Sequence, residues 1–356
     1  MKFNLMRFGD GWVFQNSHKI RGSERRRERD AINMKKLLER LGITKKDGIL
    51  LILGVFIGAV LSGIITPKIE DIIYPKEENI SGVSVEDSSS LVAFNPKGEE
   101  LWVKNLKNKI ACYLITDLDD DGMNDIVVGV DAKGVNPGFI YAFDPKGNEL
   151  WKYKTGSYAY GRSDTYTVTH ILVDDLDHDG KKELVVAAHN VPWYPAKLII
   201  LDNNGKMKKE YLHPGYIEDV KIADIDGDGS EEIICGAINN DLDWSPTLFI
   251  LDVYSMKTRG QAPPYLERTT PPGTHEYYIK IPKSKTQEES AKVSEISLIG
   301  NMLVASINDG RFYNFDTRDM SLLYISYADS YREKLNKLSE KDRSQEEEEI
   351  RNIKYL

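Results

Sequence analysis

Three copies of one acidic stretch decide the fold: Asp117-Leu-Asp-Asp-Asp-Gly-Met-Asn-Asp125, Asp175-Leu-Asp-His-Asp-Gly-Lys-Lys-Glu183 and Asp224-Ile-Asp-Gly-Asp-Gly-Ser-Glu-Glu232. In each copy carboxylates stand at positions 1, 3, 5 and 9, and a glycine stands at position 6. Carboxylates packed this closely repel one another unless a cation lies between them, and Ca²⁺ takes roughly six to eight oxygen ligands in such a flexible loop. The glycine permits the positive φ that folds the loop back around the ion. The sequence therefore predicts about three Ca²⁺ ions.

Each loop offers four carboxylates and the main-chain carbonyl of position 7. The predicted ligands are Asp117, Asp119, Asp121, Met123 and Asp125, then Asp175, Asp177, Asp179, Lys181 and Glu183, then Asp224, Asp226, Asp228, Ser230 and Glu232. A helix-loop-helix calcium site would need an acid at position 12, where this chain has Val128, Val186 and Cys235. Short β-branched runs flank each loop and predict strands rather than helices. The alternative is an acidic turn that holds no ion.

A second repeat interleaves with the loops. Residues 93–102 and 142–151 agree at 8 of 10 positions, as Ala-Phe-Asn/Asp-Pro-Lys-Gly-x-Glu-Leu-Trp. Looser copies follow at 201–202, 251–252 and 315–316. Both repeats describe a unit of about 50 residues with four strands, which is typical of β-propeller blades. The sequence predicts an all-β fold, a β-propeller of about five four-stranded blades over residues 80–327, the first blade lacking its inner strand, preceded by a single transmembrane helix.

The loop pattern Asp-x-Asp-x-Asp-Gly-x-x-Asp/Glu, followed by an apolar strand, resembles the FG-GAP/VCBS repeats of integrin-α-like calcium-binding propellers. The strands of the second repeat are similar to quinoprotein-like blades. The resemblance implies that the ions lie on one face and stiffen the propeller, while the opposite face often binds partners. The chain departs from the enzymes of that group, because it shows no tryptophan-docking repeats, no vicinal cysteine pair and too few residues for a quinone-dependent dehydrogenase. Members of this repeat family differ widely in function, so the resemblance predicts the fold and not an activity.

Residues 48–67 predict an uncleaved membrane anchor. These twenty residues carry no charge, and at about 1.5 Å per residue they match a hydrocarbon layer of roughly 30 Å. Residues 1–47 hold 13 Lys/Arg and 6 Asp/Glu, a net charge of +7 against −9 for the whole chain, so residues 48–356 carry −16. The positive-inside rule then predicts a single-pass protein of the cell membrane, with a cytoplasmic N-terminus and an extracytoplasmic propeller. Calcium outside the cell is sufficient to fill sites with affinities of about 10⁻⁴–10⁻³ M.

Three further segments surround the anchor and the propeller. Residues 1–47 are predicted to be a basic cytoplasmic segment with an amphipathic helix, in which Arg21–Arg29 favour contact with anionic lipid. The alternative is a solvated positive-inside signal, and no nucleic-acid motif accompanies it. Residues 68–79 are predicted to form a stalk. Residues 328–356 are highly charged and predict a C-terminal helix or tail that is frayed or weakly docked.

Long loops on the face opposite the calcium loops predict the recognition surface. They mix aromatic residues with Asn, Asp and Arg, a composition typical of protein or glycan recognition. The candidate partner-binding residues are Tyr158, Tyr160, Tyr166, His189, Trp193, Tyr194, Asp243 and Trp244. The alternative is that the two tryptophans merely cap the ends of the blades.

Catalytic patterns are absent from the sequence: it has no Gly-x-Ser-x-Gly and no phosphate loop, and His275-Glu276 lacks the second histidine of a zinc-protease helix. The sequence therefore favours a binding protein, for adhesion or as the scaffold of an envelope complex, with a protein or glycan ligand outside the cell. The alternative is an enzyme, a hydrolase or lyase that acts on an extracellular polymer at the loop-rich face or in the central funnel. The ligand and the oligomeric state stay open, a homo-oligomer included.

Overall fold

The computed structural model describes residues 3–8, 11–16, 79–132, 137–156, 164–192, 194–286 and 290–356. The chain divides into two compact units, residues 1–76 and residues 77–356. In the first unit, β1 (Phe3–Phe8) and β2 (Gly11–Asn16) form an antiparallel hairpin, which the sequence pattern had not indicated. The predicted amphipathic helix and the predicted membrane span at 48–67 lie outside the described residues. Within the described ranges, no helix has the length and apolar character needed to cross a bilayer.

The second unit is all-β, as predicted, and consists of five successive sheets in a propeller-type arrangement. The first sheet contains β3 (Gly82–Glu86), β4 (Ser90–Phe94) and β5 (Glu100–Asn105). The second contains β6 (Ile110–Thr116), β7 (Asp125–Val130), β8 (Phe139–Phe143) and β9 (Glu149–Lys154). The third contains β10 (Tyr166–Asp174), β11 (Glu183–Asn190), β12 (Ala196–Leu201) and β13 (Met207–His213). The fourth contains β14 (Gly215–Ala223), β15 (Glu232–Asn239), β16 (Ser245–Asp252) and β18 (Tyr277–Lys280), and the fifth contains β19 (Val293–Ile299), β20 (Met302–Ile307), β21 (Arg311–Asp316) and β22 (Leu322–Tyr327).

The predicted strand count, three in the first sheet and four in each of the others, is wrong for the third and fourth sheets, which have five strands each. Among the described residues, the first sheet has three strands and no inner strand, as the sequence indicated. The third sheet gains β17 (Arg259–Gln261). This strand belongs to the connection between β16 and β18 of the fourth sheet, and it pairs in parallel with β13 of the third. The fourth sheet gains β23 (Lys354–Tyr355), which pairs with β18. These extra strands link neighbouring sheets at their outer edges.

Each sheet packs on the next through a buried apolar cluster. Alternate side chains of each strand point into these clusters. Leu91 and Ile126 belong to the cluster between the first and second sheets, and Ile234 and Leu303 belong to the one between the fourth and fifth. Similar clusters join the second sheet to the third and the third to the fourth. Within the ranges that the structure covers, no buried cluster joins the fifth sheet back to the first. The succession of sheets is therefore held by four apolar interfaces.

The C-terminal segment is more structured than predicted. It forms α1 (Asp329–Asn336) and α2 (Glu340–Glu349) before β23. Tyr331, Leu335 and Ile350 are buried, and so is the carboxylate of Glu346, which accepts hydrogen bonds from the Tyr331 hydroxyl and the Lys285 amide. The prediction of a frayed or weakly docked tail is therefore wrong. Its high overall charge concealed the few apolar positions that anchor it.

Tryptophan side chains dock the first sheet onto the second and the second sheet onto the third. The Trp102 indole N–H donates to the Pro145 carbonyl at 2.9 Å, and that of Trp151 donates to the Asn203 carbonyl at 2.9 Å. Each ring lies over the glycine of the turn that it contacts, Gly147 or Gly205. The expected absence of tryptophan docking is therefore wrong for the first three sheets. The sequence signal was present, since each tryptophan ends one repeat and each glycine occupies the turn of the next.

Substitution of Gly205 tests this docking. Gly205 has φ +75°, and a Cβ atom there would lie 2.5 Å from Trp151 Cδ2, so Gly205→Ala adds a steric clash to left-handed strain. We expect a loss of about 3 kcal/mol in the free energy of unfolding, measured by urea denaturation. Gly98→Ala is the matched control, because Gly98 has φ +76° and no atom within 4 Å of the added Cβ. Equal losses for the two variants would show that the tryptophan contact contributes nothing.

Candidate metal centre and opposite face

The three acidic loops adopt one hydrogen-bonding pattern. The carboxylate of position 9 accepts from the amide of position 2, as in Asp125 with Leu118 (3.1 Å) and Glu232 with Ile225 (2.9 Å). The carboxylate of position 1 accepts from the glycine amide of position 6, at 3.0–3.1 Å in all three loops. The carboxylate of position 5 accepts from the amide of position 7 at 2.7–2.8 Å. The same residue spacing thus produces the same closed loop three times.

The loops also share a backbone conformation at two positions. The glycine at position 6 has φ between +82° and +91°, as the sequence predicted. Position 4 is left-handed as well, at Asp120 (φ +60°), His178 (φ +50°) and Gly227 (φ +82°). Asp and His are, with Asn, the non-glycine residues that occur most often in this region, and glycine adopts it without steric cost. Two left-handed residues per loop make the chain reverse within a few residues and direct its carboxylates inward.

Each loop brings three carboxylates together. Their oxygens lie within 4.8 Å of one another in the groups Asp117/Asp119/Asp121, Asp175/Asp177/Glu183 and Asp224/Asp226/Glu232. The predicted ligands at position 5 of the second and third loops, Asp179 and Asp228, lie outside these groups, and so does Asp125 in the first. The carbonyls of Met123, Lys181 and Ser230 follow at position 7. Oxygen donors of this kind suit a hard cation such as Ca²⁺.

Two carboxylate oxygens of the second loop are left without a hydrogen bond in the described structure. Asp175 Oδ1 and Asp177 Oδ1 are both inaccessible to solvent and have no partner there. Buried polar atoms are normally paired, because an unpaired one loses the free energy of hydration without compensation. These two oxygens are the atoms that a bound cation would satisfy, so the second loop fits the predicted ion chemically.

Burial and neighbouring charges shift the acidity of the position 9 carboxylates. Burial, reinforced by the surrounding carboxylates, raises the pKa of Asp125 to about 6 and the pKa of Glu232 to about 7. Burial also raises the pKa of Glu183, although Lys208 opposes the shift. The direction follows from the placement of like charges in a poorly hydrated environment.

Lys208 distinguishes the second loop from the other two. Its ammonium donates to Asp177 at 2.5 Å and to Glu183 at 2.8 Å. Lys208 is the extra residue of a β-bulge in the outer strand of the third sheet, and the bulge places its side chain beside the loop. The first and second sheets have the same bulge, with Leu101 and Leu150 at the equivalent position. Sequence reasoning missed Lys208 because the contact depends on the bulge and on the pairing of β12 with β13. The lysine supplies part of the positive charge that the predicted ion would supply.

Position 8 of the first and second loops contacts the preceding sheet or its loop. The Lys182 ammonium donates to the Asp117 carbonyl at 2.6 Å and to the Asp120 carboxylate at 2.7 Å. In the loop before it, Asn124 donates to the Ile80 carbonyl at 2.8 Å through its side chain and to Asn79 at 2.6 Å through its amide. The acidic loops therefore belong to the contacts between neighbouring sheets. An ion that orders a loop would also order the interface next to it.

The residues predicted for partner binding divide into four groups. Tyr158, Tyr160 and Trp193 lie outside the described residues. Tyr166 is fully buried, with the Lys197 ammonium 4.7 Å from its ring centroid, so a partner cannot reach it in this conformation. Tyr194 is half-buried, and so is His189, whose ring lies 4.5 Å from that of Tyr216 and whose pKa falls to about 4 because of burial. Asp243 and Trp244 are exposed, both in left-handed conformation at the end of a short 3₁₀ turn.

Trp244 is the exposed aromatic residue of this set. Half of its surface (51%) is accessible, so the alternative in which it caps a blade end is not what the geometry shows for this residue. Its neighbour Asp243 pairs with Lys283 at 3.1 Å. The loop after β15 places both residues at the end of the fourth sheet opposite its acidic loop, because successive strands are antiparallel.

Comparison with known proteins finds a shared fold type. No protein-family model and no curated protein matches the chain. The solved structures that it resembles include the Dos1 propeller (10% identity, TM-score 0.47) and BamB from Moraxella catarrhalis (13% identity, TM-score 0.41), which cover 70% and 71% of this chain. Quinohemoprotein alcohol dehydrogenase from Comamonas testosteroni is similar over 70% of the chain, with 10% identity and a TM-score of 0.43.

The chain spans less than two thirds of the length of each of these proteins, namely 56% for Dos1, 65% for BamB and 43% for the dehydrogenase. The all-β, propeller-type arrangement rests on the five sheets and their pairing in this chain.

Proposed function

We propose that this chain is a membrane-anchored, calcium-binding β-propeller that acts outside the cell as a binding or scaffold module. One observation supports the calcium role most strongly: three loops with the same hydrogen-bonding pattern each gather three carboxylates, and two oxygens in the second loop are buried without a partner. Asp117, Asp119 and Asp121 would hold the first ion, and Asp224, Asp226 and Glu232 the third. The second ion would be held by Asp175, Asp177 and Glu183.

Bound Ca²⁺ supplies positive charge and several coordination positions at each loop. The protein's part is to pre-form the loop through its amides and to connect it with the neighbouring sheet through position 8. Lys208 competes for Asp177 and Glu183, so the second loop is proposed to be the weakest site. The ions are proposed to be structural, because the acidic loops lie on the face opposite the exposed Trp244.

The proposed anchor is the uncharged stretch 48–67. The charge of +7 before it and −16 from there to residue 356 supports a cytoplasmic N-terminus. The calcium loops support the same orientation independently, since weak calcium sites fill outside the cell. Anionic lipid at Arg21–Arg29 and a protein or glycan ligand at the loop-rich face complete the proposal.

The buried carboxylates give no support to the hydrolase or lyase alternative. Among the described residues they are Asp125, Glu183, Glu232, Asp309 and Glu346. Three of them belong to the calcium loops, and the other two belong to the polar contacts that hold the C-terminal segment. A catalytic pair of carboxylates would have to be free for a substrate, and these five are engaged in the structure of the domain.

Capture of the partner tests the binding surface. The full-length chain, solubilised from membranes in Ca²⁺, is used as bait beside Trp244→Gly, which removes an exposed anchor and relieves its left-handed strain (φ +51°). We expect Trp244→Gly to lose the partner while keeping its melting temperature, because buried aromatic anchors dominate interfaces. Tyr254→Ser is the control, because Tyr254 is equally exposed (53%) in the turn after β16, on the calcium side. Equal recovery of the partner by both variants would place the binding surface elsewhere.

A further inference from the structure

A basic cleft lies at the end of the fourth sheet, next to Trp244. Its volume is about 460 Å³, and its lining includes Lys280, Lys283, Lys285 and Lys354 together with Asp243 and Glu349. Four lysines against two carboxylates give this cleft a net positive charge, in a part of the chain (residues 48–356) that carries −16. Two of the lysines are neutralised locally, since Lys283 pairs with Asp243 at 3.1 Å and Lys285 with Glu349 at 2.6 Å.

The other two lysines face each other across a strand pair. Lys280 of β18 and Lys354 of β23 are direct cross-strand partners, so their side chains stand on the same side of the sheet. Neither lysine forms an ion pair with a residue that the structure describes. Like charges directly opposite one another are destabilising in a sheet. The arrangement becomes favourable when an anion lies between the two ammonium groups.

A third polar group lies in the same row of the sheet. Thr247 of β16 is the cross-strand partner of Lys280 on its other side, so the three side chains share one face. Thr247 is fully buried, and its hydroxyl makes no hydrogen bond in the described structure. An unpaired buried hydroxyl normally marks a missing partner. Two uncompensated lysines thus line the cleft, and an uncompensated hydroxyl lies next to them in the same row of the sheet.

We propose that this cleft binds a phosphate or sulfate group carried by the partner. A lysine ammonium binds phosphate-type oxyanions as a compact point charge. Four lysines line the cleft, and two of them have no carboxylate partner among the described residues. The inference deepens the proposed binding function and rests on it, because Trp244 and the cleft would contact the same ligand. The recognised chemistry is an anionic phosphoester or sulfoester next to an aromatic contact.

Sulfate titration tests the cleft. The full-length chain in detergent and 1 mM Ca²⁺ is titrated with sodium sulfate, against sodium chloride at equal ionic strength, and binding is measured by calorimetry. We expect Lys354→Glu and Lys280→Gln to weaken sulfate binding at least tenfold. Lys107→Glu, an equal change of charge at an exposed lysine between β5 and β6, should bind like the wild type. Equal affinities in all four proteins overturn the proposal.

Thermal melting supplies a second, independent reading. In chloride, Lys354→Glu should melt higher than the wild type, because an acid then faces Lys280. In sulfate, the wild type and Lys107→Glu should both gain several degrees relative to chloride, whereas Lys354→Glu and Lys280→Gln should gain only the smaller shift that sulfate causes as a general salt effect. A lower melting temperature of Lys354→Glu in chloride would contradict the repulsion between the two lysines, and Lys280→Gln then decides the binding question alone.

The source of the anion is distinguished in a third arm. Glycerol 3-phosphate represents a soluble phosphoester, and phosphatidylglycerol vesicles, compared with phosphatidylcholine vesicles, represent a lipid headgroup. Arg21–Arg29 are also proposed to contact anionic lipid. The contribution of the cleft is therefore the difference in vesicle binding between the wild type and Lys354→Glu. If the wild type binds no sulfate but its melting temperature still rises with Ca²⁺, the cleft proposal alone is overturned. If the wild type binds sulfate but its melting temperature does not change with Ca²⁺, the calcium role alone is overturned.

Discussion

In 2 mM Ca²⁺ the full-length chain is expected to unfold about 10 °C higher than in excess chelator. A ligand that binds only the folded state stabilises it by RT ln(1 + [L]/Kd), which for an affinity of ~10⁻⁴ M amounts to ~1.8 kcal/mol per site. Three sites together give ~5 kcal/mol, and a domain of this size gains roughly 2–4 °C per kcal/mol. Differential scanning fluorimetry with and without chelator measures the shift.

Two variants, one in an acidic loop and one in the strand beside a loop, should change this shift in opposite directions. Asp226→Asn removes a charge from the third group of carboxylates and should reduce the calcium-dependent shift by about a third. Lys208→Leu introduces the residue type found at the same bulge position in the first and second sheets. It also removes the ammonium group that pairs with Asp177 and Glu183. The affinity of the second loop for Ca²⁺ should therefore rise, while the melting temperature in chelator falls.

The wild type itself decides the central question. A melting temperature that is the same in Ca²⁺ and in chelator would contradict the metal assignment, whatever the variants do. Mg²⁺ at the same concentration is the appropriate ion control, because it requires a smaller, near-octahedral site and dehydrates reluctantly.

Arg311→Met is expected to lower the free energy of unfolding by about 3–5 kcal/mol, because it leaves the buried Asp309 carboxylate without its counter-charge. Arg311 is completely buried, and its guanidinium donates to Asp309, to the Pro282 carbonyl and to the Tyr313 hydroxyl at 2.8 Å each. Tyr313 in turn donates to the Ile350 carbonyl at 2.7 Å. The substitution should therefore also loosen residues 328–356, which limited proteolysis detects.

Arg318→Met is the matched control for this prediction. Arg318 pairs with Asp316 two residues before it, as Arg311 pairs with Asp309, but the side chain of Arg318 is 71% exposed. Water screens an exposed ion pair, so the urea midpoint of Arg318→Met should equal that of the wild type. The double variant Arg311→Met with Asp309→Leu should recover part of the loss, since it removes the orphaned carboxylate. Similar midpoints for Arg311→Met and Arg318→Met would show that the buried pair contributes nothing.

The acidic loops and the strands around them were predictable because their determinants are local. A loop of nine residues with carboxylates at fixed spacing and a glycine at position 6 has few ways to close, and all three copies close in the same way. The β-branched runs beside each loop became β7, β11 and β15, since short apolar runs of this composition are buried most readily in sheets. The calcium assignment stays a prediction from that pattern.

The tertiary structure decided what depends on contacts between distant segments. Tyr166 was predicted on an exposed loop, but it begins β10 and is buried, with the Lys197 ammonium of the same sheet over its ring. The charged composition of residues 328–356 hid a segment that docks through Tyr331, Leu335 and Ile350. Neither outcome can be read from composition, since a few buried positions outweigh many solvated ones in deciding whether a segment packs.

By itself, the amino-acid sequence determined the local units of this protein: the closed acidic loops, the alternating strands and the turn glycines. Only the tertiary structure decided which of these units meet. It placed Lys208 beside the second loop through a β-bulge, set Trp102 and Trp151 on the glycines of the following sheets, and aligned Lys280 with Lys354. The physical reason is that hydrogen bonding within a loop depends on spacing along the chain, whereas cross-strand and interblade contacts depend on register and packing, which form only when the whole domain folds.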